Sequence, residues 1–324
     1  MVLSFRSDAL GRKVKIADGG ESTLYSLPDL SIDGVGKSLV YKEYKPALVI
    51  DRGHPVAHAL AGLVGTLEKM PEQARARVQP YSAWPVAVVM GNDGATGLVM
   101  PHVGAKYFGE MTLLTGRKKM GSRDLDKYLQ PDSKITALGF VPLTAAGRKI
   151  MLTRILGFLD RVHMLGYIVG DISQTNILMH VDPTDQLARN QPKFVDVDTF
   201  RPVGGVSAMP QRHTPSWEPP EAEKWSAVRR NLLAGGADIH AIADARAKSH
   251  VQTLASDVYK AGLVAIRLYD TSDSRSFAML SNAALAHINS TFGRPAVTAV
   301  TAALAQKPSD RPTMAELFSA FRNS

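Results

Sequence analysis

Two regimes of hydrophobic patterning divide the chain near residue 100. Before it, apolar residues come in short runs. Lys13-Val14-Lys15-Ile16 alternates polar and apolar, the pattern of a half-buried strand. Residues 38–44 are rich in β-formers and predict a strand that stops at Pro46. Trp84-Pro85-Val86-Ala87-Val88-Val89-Met90 predicts a buried strand. It and Gly97-Leu98-Val99-Met100 flank Gly91-Asn92-Asp93-Gly94, a strong hairpin signal. One helix interrupts these strands: Leu60, Leu63, Val64 and Leu67 recur at helical spacing within 54–79, with a break or kink at Pro71. From about residue 101 the pattern is mostly helical. Residues 144–165 carry the broad apolar face of a buried helix. Further helices are predicted over 221–234, 255–269, 278–290, 295–305 and 313–322. The expectation is an α+β chain, strand-rich over 1–100 and mainly helical over 101–324.

Composition narrows the chemistry. The 324 residues suffice for one large or two modest domains, without repeat or low-complexity tract. With no cysteine, disulfides, thiolate metal sites and thiol nucleophiles are excluded. No window approaches the ~18 uninterrupted apolar residues of a membrane span. The first residues lack a signal-peptide pattern. A soluble, cytoplasmic protein is the expectation, with no membrane partner. The net charge of +8 suits an anionic ligand, but also an ordinary surface with surplus Lys and Arg. The densest basic run, Arg117-Lys118-Lys119, has no interleaved aromatics, which argues against nucleic acid as the partner.

The most informative segment is Gly170-Asp171-Ile172-Ser173-Gln174-Thr175-Asn176, followed by Phe194-Val195-Asp196-Val197-Asp198. An acid and an amide five residues apart follow a predicted helix, and a second acid ends an apolar pair. Phosphoryl transfer needs this set: one carboxylate to orient the acceptor hydroxyl, an amide and a second carboxylate to hold magnesium. Gly, Asp, Ser and Asn also make ordinary turns. Upstream, Asp18-Gly19-Gly20-Glu21-Ser22 could let backbone amides approach a phosphate, or could be a plain hairpin turn.

Together these segments resemble the protein kinase superfamily, over about residues 12–322. The similarity is greatest to a bacterial Ser/Thr-kinase-like branch with a V-D-x-D-[ST]-F segment, here Val195-Asp196-Val197-Asp198-Thr199-Phe200. The resemblance implies a bilobal fold with ATP between the lobes. Gly19, Gly20 and Ser22 would belong to the phosphate loop. Val40-Tyr41-Lys42 resembles the strand whose lysine neutralises the ATP phosphates, paired in that family with a helix glutamate. Glu68 and Glu72 are the two on offer here, Glu68 the favoured one, and neither sits in a clear motif, so the pair is not fixed by the sequence. Leu98-Val99-Met100-Pro101-His102 resembles the hinge, with backbone at Met100 and His102 binding adenine. Asp171 would orient the acceptor hydroxyl. Asn176 and Asp196 would bind magnesium, with Asp198 a second ligand or a loop residue. Pro219-Pro220-Glu221 resembles the end of an activation segment, so Glu221 is expected to pair with Arg311. Asp257 is expected to brace the catalytic loop backbone.

Three features depart from that pattern. Ser173 stands where protein kinases usually carry lysine, Gly170 where they carry arginine, and the full G-x-G-x-x-G is absent. Residues 223–254 match no kinase motif and read as an insertion. Ser207, Thr214 and Ser216 are possible autophosphorylation sites, although Gly170 removes the usual arginine pocket for an activating phosphate. The leading expectation is ATP- and Mg2+-dependent transfer to protein Ser/Thr hydroxyls. A nucleotide-binding pseudokinase scaffold and a small-molecule kinase are the alternatives. The protein substrate and the oligomeric state are not specified by the sequence.

Overall fold

A computed structural model describes residues 2–46, 54–113, 115–184 and 186–322. The chain is mixed α+β, with a strand-rich N-terminal sheet and a helical C-terminal part. It divides into two compact units. The first comprises 1–105 together with 193–210; the second comprises 106–192 and 211–324. The first unit is thus wider than residues 1–100, because the segment carrying Asp196 and Asp198 belongs to it.

In the first unit six strands form one sheet: β1 (Ser4–Arg6), β2 (Val14–Asp18), β3 (Ser22–Ser26), β4 (Leu39–Tyr44), β5 (Ala87–Gly91) and β6 (Gly94–Pro101). Their order is β1-β5-β6-β4-β3-β2, with β1 parallel to β5 and the other pairs antiparallel. In register, Leu24 lies opposite Lys42, and Lys42 opposite Leu98. Alternation along β4 puts Val40, Lys42 and Tyr44 on one face. On that side Tyr44, Val88 and Leu98 pack with Val56, Leu60 and Val64 of helix α1 (His54–Lys69). Ala208 and Met209 complete this core. The helix ends just before Pro71, and a separate short turn, Glu72–Arg75, follows. The alternation in 13–16 misleads about burial: every residue of β2 is exposed, because it is an edge strand that nothing covers.

The second unit is mainly helical, and the long helix expected over 144–165 is α2 (Ala145–Met164). Thr144 caps it by accepting from the Gly147 amide at 3.1 Å. Gly166, at φ 78°, lets the chain turn out of it. Helices α3 (Pro220–Ala234) and α4 (Ile239–Ser249) pack together and account for most of residues 223–254. Helix α5 (Leu254–Tyr269) is buried from Ser256 to Tyr269 and packs against α2, α6 (Asn282–Phe292) and α7 (Arg294–Ala303). Its start is fixed by a reciprocal capping box of Thr253 and Ser256. Helix α8 (Met314–Arg322) packs on α2. The hairpin of β7 (Phe108–Thr112) and β8 (Lys118–Ser122) lies in the stretch read as mostly helical, ahead of the first helix predicted there. It has little apolar alternation, and Lys118 of the basic run is paired with Glu110 at 2.8 Å.

Glu221, near the start of α3, meets Arg311 in a two-pronged ion pair: Nη1 to Oε1 at 2.8 Å and Nη2 to Oε2 at 2.6 Å. The guanidinium also donates to the Ala305 and Ala255 carbonyls, and its side chain is fully covered. Truncating one partner of a buried pair strands the other charge. Arg311→Gln is therefore expected to lower the unfolding free energy by about 3–5 kcal/mol, read by urea denaturation.

Candidate active site

Each unit contains one cluster of chemically capable residues. In the first unit, Lys42 Nζ donates to Asp196 Oδ1 and to Asp198 Oδ1, both at 2.8 Å. Burial opposes the ammonium's charge, but the carboxylates of Asp198 and Asp196 outweigh it and hold its pKa above the ordinary lysine range. Tyr44, two residues along the same strand face, donates its hydroxyl to Asp198 Oδ2 at 2.9 Å. Burial, then the Asp198 charge, push the phenol's pKa well up. Asp196 sits in the left-handed region at φ 55°, uncommon for a non-glycine residue. Thr199 ties its carbonyl down through amide and hydroxyl, at 3.0 and 2.8 Å. Strained residues held in this way concentrate at functional sites.

The two aspartates differ in access. The Asp196 side chain is 48% exposed, that of Asp198 only 2%. Magnesium takes oxygen ligands and usually one or two protein carboxylates beside phosphate oxygens and water. Asp196 in this unit and the Asn176 amide oxygen in the other have the right chemistry. Among the described residues no group of three or more His, Cys, Asp and Glu is placed to hold a metal.

Glu68 is not the partner of Lys42. Its carboxylate accepts from the Leu3 amide at 3.0 Å, at an exposed position. The glycine pair lies in the β2–β3 turn, where the Gly19 amide donates to the Ser22 carbonyl at 2.8 Å. Ser22 through Tyr25 belong to strand β3 rather than to a loop. A Cβ at Gly20 would meet nothing, so the turn leaves open space there. Beside it, Lys15, Lys45 and Thr23 converge on Asp18 and hold its carboxyl below the usual range. Met100 lies near the end of β6, opposite Val40. The His102 amide already donates to the Ser38 carbonyl at 2.9 Å, so an adenine contact at His102 must use another atom.

In the second unit, Asp171 and Asn176 are tied together. Asn176 Nδ2 donates to Asp171 Oδ2 at 2.8 Å and to its carbonyl at 3.0 Å. Thr214 donates its hydroxyl to Asp171 Oδ1 at 2.9 Å. Asp257, fully buried on α5, accepts from the Val169 and Gly170 amides at 2.7 and 2.9 Å and lies 3.1 Å from His163 Nε2. Gly170 has φ 76°, and a Cβ there would come within 2.4 Å of Gln211 Nε2. The positive φ favours glycine here, and a Cβ would also oblige the Gln211 side chain to shift. Ser173 is fully buried, with its hydroxyl 3.2 Å from that of Thr175.

Sequence reasoning misses Lys260. One helical turn after Asp257, it is fully buried and donates to the Gly170 carbonyl and to Gln252 Oε1. A lysine in an apolar helix run carries no motif; only the fold brings it beneath the Asp171 turn. Tyr44 is missed for a similar reason, since a tyrosine on a predicted strand reads as core.

No protein-family model matches the chain, and no curated protein matches it. The functional reading therefore rests on these two clusters.

Burial pulls the Lys260 pKa down to about 8 against the opposing pull of Asp257 and Asp171, from an ordinary value of 10.5. Between these values the unfolded chain binds more protons than the folded one, so stability rises with pH across that window. Relative to Lys260→Met, the wild type should gain on the order of 3 kcal/mol between about pH 8 and 10.5, measured as the difference between two urea-unfolding series.

Proposed function

We propose that this protein is an ATP- and magnesium-dependent phosphotransferase of the protein kinase type, with the bilobal fold of that class, acting on Ser or Thr hydroxyls of a protein. The observation that carries the reading is the 2.8 Å contact of Lys42 with Asp196. Residues 154 positions apart, each assigned separately to the phosphate and metal end of one nucleotide, meet inside one unit. The Asp171–Asn176 tie on a loop braced by Asp257 supports the same reading.

In this mechanism Lys42 neutralises phosphate charge, and Asp196 and Asn176 are the groups that would hold magnesium. Bound magnesium supplies neutralisation of the charge on the β- and γ-phosphates. Gly19 and Gly20 of the β2–β3 turn, with Ser22 at the start of β3, are the groups that would meet the phosphates, and backbone near Met100 is the stretch that would take the adenine. Asp171 orients the acceptor hydroxyl and takes its proton as the γ-phosphoryl moves to that oxygen and ADP departs. Asn176 and Thr214 fix the angle of the carboxylate for that task. Positioning and charge stabilisation do most of the work.

A second reading, a nucleotide-binding scaffold without transfer, is favoured by Ser173. It stands where a lysine would touch the transferred phosphate, and its full burial keeps it from that role. A small-molecule acceptor is the third possibility.

Purified protein with magnesium and γ-labelled ATP should transfer label to protein, and Asp171→Asn and Asp196→Asn should each lower transfer by about 100-fold or more. Thermal shift by ATP without transfer to any acceptor would instead select the scaffold. Transfer only to small molecules would select the third reading.

Thr214 is engaged with Asp171 and Gly170 offers no cation, so activation by a phosphate on this segment has no receptor at that position. Activity is expected to be equal before and after phosphatase treatment. Loss on treatment would show a phosphate-dependent state.

A further inference from the structure

We propose that Asp198 is the residue that fixes Lys42, taking the place of a helix glutamate, and that it acts as a positioning residue and not as a metal ligand. The proposal rests on the reading of Lys42 as the phosphate-binding lysine.

Both carboxylate oxygens of Asp198 are committed. Oδ1 accepts from Lys42 Nζ at 2.8 Å, and Oδ2 accepts from the Tyr44 hydroxyl at 2.9 Å. The side chain is 2% exposed, so a hydrated cation would have to displace both donors to reach it. Magnesium dehydrates reluctantly and suits an open carboxylate better. Asp196, half-exposed on the same short turn, is that open carboxylate. The turn is itself held: the Phe200 amide donates to the Val197 carbonyl at 2.9 Å, and the Met209 amide to the Asp198 carbonyl at 3.3 Å.

The two aspartates therefore divide the labour. Asp196 can turn toward a metal while Asp198 keeps the ammonium in place. Charged hydrogen bonds of this kind are short and strong, and here they are screened from water. Tyr44 and Lys42 alternate onto the same face of β4, so one strand supplies both donors that orient the carboxylate. Helix α1 supplies no carboxylate to this contact, since its Glu68 accepts from the Leu3 amide. Displacement of the 196–200 turn would move both carboxylates that hold the lysine.

The test uses the full chain without nucleotide. Acylation of Lys42 by acetic anhydride is followed by mass spectrometry of its peptide in wild type, Asp198→Asn, Tyr44→Phe and Glu68→Ala. Asp198→Asn should speed labelling about fivefold or more, Tyr44→Phe about twofold, and Glu68→Ala should leave it within about twofold of wild type. In the transfer assay Asp198→Asn should raise the KM for ATP about tenfold, with the magnesium midpoint unchanged. Unchanged labelling in Asp198→Asn, equal unmasking by Glu68→Ala, or a shifted magnesium midpoint at constant KM for ATP would overturn the proposal. If Asp198→Asn does not fold, Tyr44→Phe decides by labelling and KM. Should wild type neither bind nor use ATP while Asp198→Asn still unmasks Lys42, the phosphotransferase reading falls and the anchor stands.

Discussion

A carboxylate with no exposure to water must be matched by donors, or the fold carries the full cost of burying its charge. Asp257 is such a group, and the arrangement around Asp171 depends on how it is matched. Its two oxygens take the Val169 and Gly170 amides, and His163 closes on one of them. Those amides face one carboxylate only because Gly170 adopts φ 76°. Lys260 then takes the Gly170 carbonyl from the same helix. One residue, Gly170, is thus held by α5 through both its amide and its carbonyl, and Asp171 follows it. The direction of the Asp171 side chain is thereby set by the most buried helix of its unit.

Much of this was legible as order along the chain. The strands at 39–44 and 87–101, the long helix over 145–164 and the later helices follow from periodicity, because each buries a face large enough to leave a pattern. The alternation at 13–16 does mark strand β2 but not its exposure, and the β7–β8 hairpin leaves no such pattern. Backbone pairing holds them at exposed positions, so few side chains record their state. At the site, residues spaced within one loop could be read directly: Asp171 with Asn176, Asp196 with Asp198. Partnerships across long separations could be read only where a resemblance named both ends, as with Glu221 and Arg311. Where it named one end loosely, the reading went astray, as with Glu68.

The fate of Glu68 shows why spacing alone cannot choose a partner. A strand lysine will take whichever carboxylate the fold delivers within about 3 Å in a dry place. Glu68 points to an exposed edge and serves the Leu3 amide. Asp198 is delivered by a three-residue turn packed under Met209 and backed by Tyr44. Burial separates the two carboxylates more sharply than their sequence contexts do.

The same criterion weighs the functional readings. A site kept only as a relic has no need to hold polar groups in costly conformations. Here Asp196 remains in a strained left-handed conformation with its carboxylate open, while its neighbour is sealed. Asp171 keeps two donors on its oxygens, one from Asn176 and one from Thr214. Ser173 is the counterweight: like Gly170 it stands where a cation is expected, and it is fully buried. The strain and the open acid lie on groups that would meet phosphate and acceptor. The loss lies on a group that would only add charge to the transition state. That distribution favours a working transferase with reduced charge stabilisation over an inert scaffold.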